Sequence, residues 1–383
     1  MSVTAARGFT AAGVAAGIKQ NGSRDLAVVV NDGPRHTAAG VFTSNRVQAA
    51  PVQWSRQVLA DGRIRAVVLN SGGANACTGP QGFQDTCATA EKAAGLLALD
   101  ATDVAVCSTG LIGVTLPMDR LLAGTESAVA LLSDSGGEEA ARAIMTTDTV
   151  HKTAAVTRGG WTVGGMAKGA GMLAPGLATM LVVLTTDADL PSDVLDTALR
   201  AATRVTFDRV DSDGCMSTND TVLLLASGAS EVTPEHEEFT EAVREVCADL
   251  ARQLIGDAEG ASKEIRIEVV NAASEDDAVE VGRSIARNNL LKCAVHGEDP
   301  NWGRVLSAIG TTSAAFEPDR LSVAINDVWV CKNGSVGEDR TLVDMTGREV
   351  RITADLAAGA ETAVIWANDL TADYVHENSE YSS

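Results

Sequence analysis

A glycine-rich segment before an apolar run contains the first candidate for chemistry. Residues 164–178 hold five glycines and one proline, and Thr179 follows Ala178 directly before the apolar residues 180–184. The Thr179 hydroxyl could attack the carbonyl carbon of Ala178, because the small alanine leaves that carbonyl accessible and a strained glycine and proline turn could lower the barrier. Water would then hydrolyse the ester. The pattern fits equally well a loop whose glycines only allow close packing.

Cleavage before Thr179 would create a nucleophile that carries its own base. A terminal amine has an ordinary pKa of about 7.7–8.0, so a share of it is unprotonated near neutral pH. Such an amine can take the proton from the hydroxyl of the same residue. This chemistry needs no nearby histidine, and the sequence has neither a G-x-S-x-G elbow nor a G-x-x-x-x-G-K-[ST] phosphate loop.

A second glycine and threonine pair follows a predicted strand at residues 104–107. There, Thr109 and Gly110 stand where ligands gather in α/β proteins, at the end of a strand. The Thr109 hydroxyl and the Gly110 N–H could together form an oxyanion hole. An ordinary turn between a strand and a helix would look the same in the sequence.

Metal and nucleotide chemistry is not expected. The five histidines show neither H-E-x-x-H nor zinc spacing with cysteines. Residues 169–174 fit G-x-G-x-x-A, but Pro175 and Gly176 interrupt the helix that a dinucleotide site requires. An aspartate cluster resembles a calcium loop, yet Arg209 holds the first ligand position and Asp220 replaces the final glutamate. We therefore expect no metal and no nicotinamide cofactor.

Composition and charge exclude several classes of partner. The 383 residues include 30 basic and 51 acidic side chains, a formal net charge of −21, which disfavours nucleic acids and anionic membranes. The seven cysteines are scattered and form no C-x-x-C pair, which favours reduced thiols in the cytoplasm. Residues 1–20 lack the apolar core of a secretory signal. The longest uncharged stretch, residues 169–186, is interrupted by glycines and a proline, so no membrane span is expected.

The elements that must position these residues alternate between strands and helices. This mixture predicts a layered α/β protein of one large or two ordinary domains. The predicted strands lie at 26–31, 39–42, 66–69, 104–107, 161–166, 180–186, 221–226, 265–270, 321–325, 328–331, 350–353 and 362–366. The predicted helices lie at 85–99, 117–132, 192–206, 234–255, 275–291 and 302–309. Thr233 is the expected N-cap of the longest helix, and Asn326 with Asp327 is the expected hairpin turn.

The order of the longer motifs resembles one enzyme family over nearly the whole chain. These motifs are N-S-G-G-A-N-A-C-T-G at 70–79, S-T-G-L-I-G at 108–113, M-T-T-D-T at 145–149, K-G-A-G-M-L-A-P-G-L-A-T-M-L at 168–181, S-T-N-D-T at 217–221, D-A-E-G at 257–260, G-E-D-P-N-W-G-R at 297–304 and E-N-S-E-Y-S-S at 377–383. The chain resembles the ornithine acetyltransferases of arginine biosynthesis, also described as bifunctional glutamate N-acetyltransferases.

The resemblance implies an αββα sandwich of the N-terminal-nucleophile-like type and self-cleavage between Ala178 and Thr179. Residues 1–178 would become the alpha chain and residues 179–383 the beta chain. Two chains of each kind would assemble as a cytoplasmic heterotetramer. The reaction implied is acetyl transfer from N-acetylornithine to glutamate by a ping-pong mechanism without a cofactor, and acetyl-CoA use as a second donor stays open.

The resemblance also implies individual roles. Thr179 is the nucleophile and, through its amine, the base, while Thr109 and Gly110 match the oxyanion hole. The implied substrate contacts are Thr146, Lys168, Thr179, Glu259, Asn378 and Ser383. A charged Lys168 would suit a substrate carboxylate, and Glu259 would suit the ammonium of ornithine.

Some departures and alternatives stay open. The chain ends in Ser383 where the family usually has threonine, so the hydroxyl is kept. The stretch between Thr149 and Trp161 is one residue shorter than in some relatives, which leaves Thr146 or Thr147 as the substrate contact. An aminopeptidase or amidase with the same nucleophile is the alternative enzyme. An intact amino-acid-binding protein is the non-enzymatic alternative.

Overall fold

This computed structural model describes residues 2–174 and 180–380 of the chain. Its strands are β1 Phe9–Val14, β2 Leu26–Asn31, β3 Thr37–Phe42, β4 Ala66–Ser71, β5 Val104–Thr109, β6 Lys152–Arg158, β7 Trp161–Lys168, β8 Leu181–Thr186, β9 Thr221–Ala226, β10 Glu264–Ala272, β11 Ser322–Ile325, β12 Val328–Lys332, β13 Ser335–Val336, β14 Glu349–Asp355 and β15 Glu361–Asn368. Its helices are α1 Ala50–Val58, α2 Gly79–Leu97, α3 Met118–Ala130, α4 Gly137–Ala143, α5 Ser192–Val205, α6 His236–Gly256, α7 Glu275–Ala286, α8 Asn289–His296, α9 Trp302–Ile309 and α10 Ala372–Glu380.

A five-stranded sheet with the order β3-β9-β8-β7-β6 forms one inner layer of the molecule. Its central strand β8 runs parallel to β9 and antiparallel to β7. Every residue of β8 is buried, which suits a central strand covered on both faces. Successive side chains of β8 enter two different cores: Leu181 and Val183 belong to one cluster, and Val182 and Leu184 to another.

A four-stranded sheet with the order β1-β2-β4-β5 forms the second inner layer. It shares one apolar core with the first sheet, because Val28 and Val67 cluster with Val183 and Leu223. Helices α1, α2 and α3 contact the strands of this sheet, and α5 and α6 pack on the five-stranded sheet. The layers are thus helix, sheet, sheet and helix, and the expected αββα sandwich is confirmed.

A third sheet lies beyond this sandwich and was not expected. Its order is β13-β12-β11-β14-β10-β15, and parallel and antiparallel pairs are mixed in it. Helices α7 and α9 share its apolar core. The third sheet contacts the sandwich near α6, where the amide of Asp211 donates to the carbonyl of Trp366 at 2.8 Å.

Several predicted elements need correction. The helix expected at 234–255 begins at His236, so Thr233 is not its N-cap, and Glu235 precedes the helix without a capping side chain. The helix expected at 275–291 is two helices, because the Asn288 side chain accepts from the Leu291 amide and starts α8. The hairpin turn at Asn326 and Asp327 is confirmed, and both residues have positive φ.

Candidate active site

Three of the predicted site residues lie outside the described part of the chain: Ala178, Thr179 and Ser383. Strand β7 ends at Lys168 and β8 begins at Leu181, and these two residues are paired across the sheet. The last residue of β7 and the first residue of β8 therefore lie at the same end of these two neighbouring strands. The nucleophilic role of Thr179 stays a prediction.

A buried carboxyl holds the first described residue after Thr179. The amide of Met180 donates to Oδ1 of Asp220 at 3.0 Å, and Asp220 is wholly buried just before β9. Burial raises the pKa of the Asp220 carboxyl well above its usual range, although the Met180 amide, the Ser217 hydroxyl and Lys168 act in the opposite direction. No group in residues 2–174 or 180–380 completes a hydrogen bond to Asp220 Oδ2.

The predicted oxyanion pair is found at the end of β5. Thr109 is the last residue of that strand, and Gly110 follows with φ +126°. The Gly73 amide donates to the Thr109 carbonyl at 3.0 Å, and this brings the Gly72–Gly73 backbone so close that a Cβ on Gly110 would lie 2.5 Å from the Gly73 nitrogen. Within the described ranges, we find no hydrogen bond from the Gly110 N–H. A backbone N–H at the end of a strand could donate to a substrate oxygen.

A buried asparagine joins the turn at Thr109 and Gly110, which we call the oxyanion turn after its predicted role, to the five-stranded sheet. The side-chain nitrogen of Asn219 donates to the Ser108 carbonyl at 2.8 Å and to the Ala74 carbonyl at 2.6 Å. Asn219 directly precedes Asp220, which holds Met180. One short segment thus fixes the distance between the oxyanion turn and the start of β8.

Lys168 points at the oxyanion turn from the end of β7. The residue is 2% exposed, and its ammonium donates to the Thr109 hydroxyl oxygen at 3.3 Å. Burial lowers the pKa of the Lys168 ammonium, and Asp148 is the strongest of the groups that raise it. A buried ammonium beside the oxyanion turn could bind a substrate carboxylate or stabilise a developing negative charge.

Glu259 and Asn378 form the other side of the site. Oε2 of Glu259 accepts from the side-chain nitrogen of Asn378 at 3.0 Å, and the Glu259 amide donates to the Ala170 carbonyl at 3.0 Å. The backbone of Gly171 lies so near that a Cβ there would be 2.5 Å from the Glu259 carboxylate. The glycines after Lys168 therefore bring the segment into direct contact with the predicted ammonium-binding residue.

The two candidate threonines occupy the loop before β6. The Thr146 amide donates to Asp148 Oδ2 at 2.9 Å. Thr147 lines a cavity of about 420 Å³ together with Glu259. The choice between Thr146 and Thr147 as a substrate contact therefore stays open.

Sequence reasoning missed the residues that support the site from behind, chiefly Asp148, Asn219 and Asp220. The motifs at 145–149 and 217–221 contained them, but their roles are visible only once the fold brings distant backbone amides to their side chains. In the sequence, Asp220 stands out only because it occupies the last position of an incomplete calcium-loop pattern. The described residues contain no group of three histidine, cysteine or acidic side chains placed to hold a metal ion. No helix among them is both long and apolar enough to cross a membrane.

Comparisons with known proteins agree with the motifs. The pattern of the ArgJ family matches residues 10–383. The "Arginine biosynthesis bifunctional protein ArgJ" of Streptomyces avermitilis is 80% identical over 383 residues, which are all of both chains. The protein of the same name from Thermobifida fusca is 65% identical over 383 residues, again all of both chains.

Among solved structures, an ornithine acetyltransferase from Mycobacterium tuberculosis, complexed with ornithine, is 61% identical. It matches with a TM-score of 0.45, and the match covers 47% of this chain and 96% of that one. The resemblance seen in the motifs is confirmed by the match to the family pattern and by the full-length relatives, and this chain belongs to the ArgJ family.

Proposed function

We propose that this protein is an acyltransferase of arginine biosynthesis that moves an acetyl group from N-acetylornithine to glutamate through an acetyl ester on Thr179. The full-length identity to ArgJ proteins supports the pathway and the reaction class. The observation that carries the mechanism is that Thr109 and Gly110, at the end of β5, lie beside Lys168, at the end of β7, which is paired with the start of β8 next to the anchored residue Met180.

Self-cleavage would precede the transfer. The Thr179 hydroxyl attacks the carbonyl carbon of Ala178, the bond from that carbon to the Thr179 nitrogen breaks, and an ester replaces the peptide. Water then hydrolyses the ester, which leaves a carboxylate on Ala178 and a free amine on Thr179. The hydrogen bond from the Met180 amide to the Asp220 carboxyl supports this step, because it fixes the position of the residue directly after the nucleophile.

The transfer proceeds in two similar halves. The Thr179 amine takes the proton from its own hydroxyl, and the oxygen attacks the acetyl carbonyl carbon of N-acetylornithine. The Thr109 hydroxyl and the Gly110 N–H donate to the resulting oxyanion. When the bond between the acetyl carbon and the ornithine nitrogen breaks, that nitrogen takes the proton from the Thr179 ammonium. Glutamate then attacks the acetyl ester by the reverse path and leaves as N-acetylglutamate.

No cofactor is needed for this exchange, because one amide is broken and a similar amide is formed. Water must be kept from the acetyl ester, since hydrolysis would waste the acetyl group. The burial of Lys168, Asp148 and Asp220 around the segment supports a site that admits little water. The relatives are named as bifunctional, so acetyl-CoA is the second donor that we propose to test.

Recognition of the substrate would use opposite charges at two ends of the site. Lys168 would bind the carboxylate of ornithine or glutamate, and Glu259 with Asn378 would bind the ammonium at the end of the ornithine side chain. Thr146 and Ser383 would add hydroxyl contacts. We further propose that the two cleaved chains assemble as a heterotetramer in the cytoplasm.

The Thr179→Ala variant tests the proposal. It should run as one uncleaved chain on a denaturing gel and transfer no acetyl group, whereas the wild type should show two chains and ping-pong kinetics with N-acetylornithine and glutamate. A wild-type protein that remains one chain yet transfers acetyl at full rate would refute the mechanism. Release of free acetate that added glutamate does not change would instead favour the amidase alternative.

A further inference from the structure

Asp148 joins three parts of the site through one buried carboxylate. Its Oδ1 accepts from the Gly169 amide at 2.7 Å and from the Lys152 ammonium at 2.7 Å, and its Oδ2 accepts from the Thr146 amide at 2.9 Å. The side chains of Asp148 and Lys152 are both wholly buried. Lys152 also donates to Asp257 at 2.6 Å, so its ammonium is paired with two carboxylates.

Five charged groups act on the Lys168 ammonium or respond to it, and they come from different elements. Asp148 lies in the loop before β6, Lys152 in β6, Asp220 before β9 and Glu259 after α6, and the fifth is Lys19 in the loop between β1 and β2. Asp148 has the largest favourable effect of these on the charged form of Lys168. In return, Lys168 and Lys152 outweigh the burial of Asp148 and lower its pKa to about 2.

The hydrogen bond between Lys168 and Thr109 sets the direction of a hydroxyl. A charged ammonium can only donate, so the Thr109 oxygen accepts from it. The hydrogen of the Thr109 hydroxyl is then directed away from Lys168 and is available to an oxyanion. A neutral amine could accept instead, and the hydroxyl hydrogen could turn toward the lysine.

We propose that Asp148 is a positioning residue for acetyl transfer, which keeps Lys168 charged and aimed at the Thr109 hydroxyl so that this hydroxyl donates to the oxyanion. Asp148 also ties Lys168 to Thr146 through the Gly169 and Thr146 amides. This inference rests on the proposed function only for its kinetic test. The effect of Asp148 on Lys168 can be measured without any reaction.

The Asp148→Asn variant removes the charge with little change in shape. Loss of an opposite charge at short range lowers the pKa of a lysine by about one unit or more. We therefore expect the alkaline limb of the kcat/KM profile to move down by about one pH unit, and kcat/KM at its optimum to fall about tenfold or more. Asp148→Glu, which restores the charge, should return the limb toward its wild-type position.

Asp257→Asn is the matched control. It makes the same chemical change and also removes a charged partner of Lys152, but Asp257 is not among the four charged groups with the largest effect on the pKa of Lys168. The alkaline limb should stay in place in this variant. If both variants move the limb equally, or if neither moves it, the proposal is wrong.

A measurement that does not depend on catalysis can test this proposal independently of the proposed function. In protein with ¹³C-labelled lysine, the Lys168 resonance, assigned by its loss in Lys168→Met, should titrate at a lower pH in Asp148→Asn than in the wild type. If Asp148→Asn does not fold, the double variant Asp148→Asn with Lys152→Met is compared with Lys152→Met alone, because the loss of Lys152 then affects the pKa of Lys168 equally in both proteins. An unchanged titration would overturn the proposal even if acetyl transfer is confirmed.

Discussion

Substitution of Gly110 by alanine should impair the oxyanion turn in a way that the structure allows us to quantify. The added Cβ would lie 2.5 Å from the Gly73 nitrogen and 2.7 Å from the Gly72 carbonyl carbon. Both are backbone atoms, so the turn itself must move by about 1 Å to restore ordinary contact, and a misplacement of that size can cost about 10²-fold in rate. The φ of +126° adds strain of about 1–3 kcal/mol for a residue with a side chain.

The assay follows acetyl transfer from N-acetylornithine to glutamate under saturating and limiting donor. We expect kcat to fall about 10²-fold in Gly110→Ala with a smaller change in KM, because the N–H donor that we propose for the oxyanion would act mainly on the transition state. Gly113→Ala is the matched control. Gly113 also has positive φ, at +83°, but apart from its two chain neighbours no residue of the described chain has an atom within 4 Å of its Cβ position. A control that loses as much kcat as Gly110→Ala, or a Gly110→Ala enzyme with wild-type kcat, would refute this reasoning.

Three further substitutions test other parts of the site. Thr109→Val removes the proposed oxyanion donor at constant shape, and we expect kcat to fall about 10²-fold. It also removes the acceptor of the buried Lys168 ammonium, so we expect the melting temperature to fall as well. Gly171→Ala places a methyl group against the Glu259 carboxylate, and we expect a higher KM for N-acetylornithine with a smaller change in kcat. In Asp220→Asn, the amide oxygen can still accept from Met180. Because the folded pKa of Asp220 is raised, its stabilising effect is present at acid pH and is lost as pH rises from the unfolded pKa toward the folded one. The variant should therefore melt higher than the wild type at pH 8 and gain less at pH 4, and an equal difference at both values would contradict the raised pKa.

The sequence was sufficient for the parts of the fold that follow local patterns. The continuous apolar run of β8 indicated a buried strand, and α9 begins at Trp302 and ends at Ile309 as its helical spacing predicts. Strand β1 was missed because its small residues, such as Ala11 and Gly13, do not alternate clearly. Its place depends on pairing with β2.

The candidate site could be predicted only where a residue has a recognisable neighbourhood in the sequence. Lys168 and Glu259 were named by resemblance, and the structure places both beside the segment 169–174. Asp148 and Asn219 could not be assigned roles in advance, because both bind backbone groups distant in the sequence, which for Asn219 lie up to 145 positions away. The types and spacing of residues do not predict which distant backbone carbonyl or amide will form a hydrogen bond with a buried side chain.

The order of strands in the five-stranded sheet has a consequence for how two severed polypeptides would hold together. Strands β8 and β9 follow Thr179 in the chain, yet they lie between β3 and β7, which precede it. Neither half could assemble this sheet by itself, so the halves should not fold as independent partners that later associate. We expect separately expressed halves to be insoluble and co-expressed halves to yield far less active protein than the full-length chain, because a single chain brings all five strands into register before the proposed cleavage.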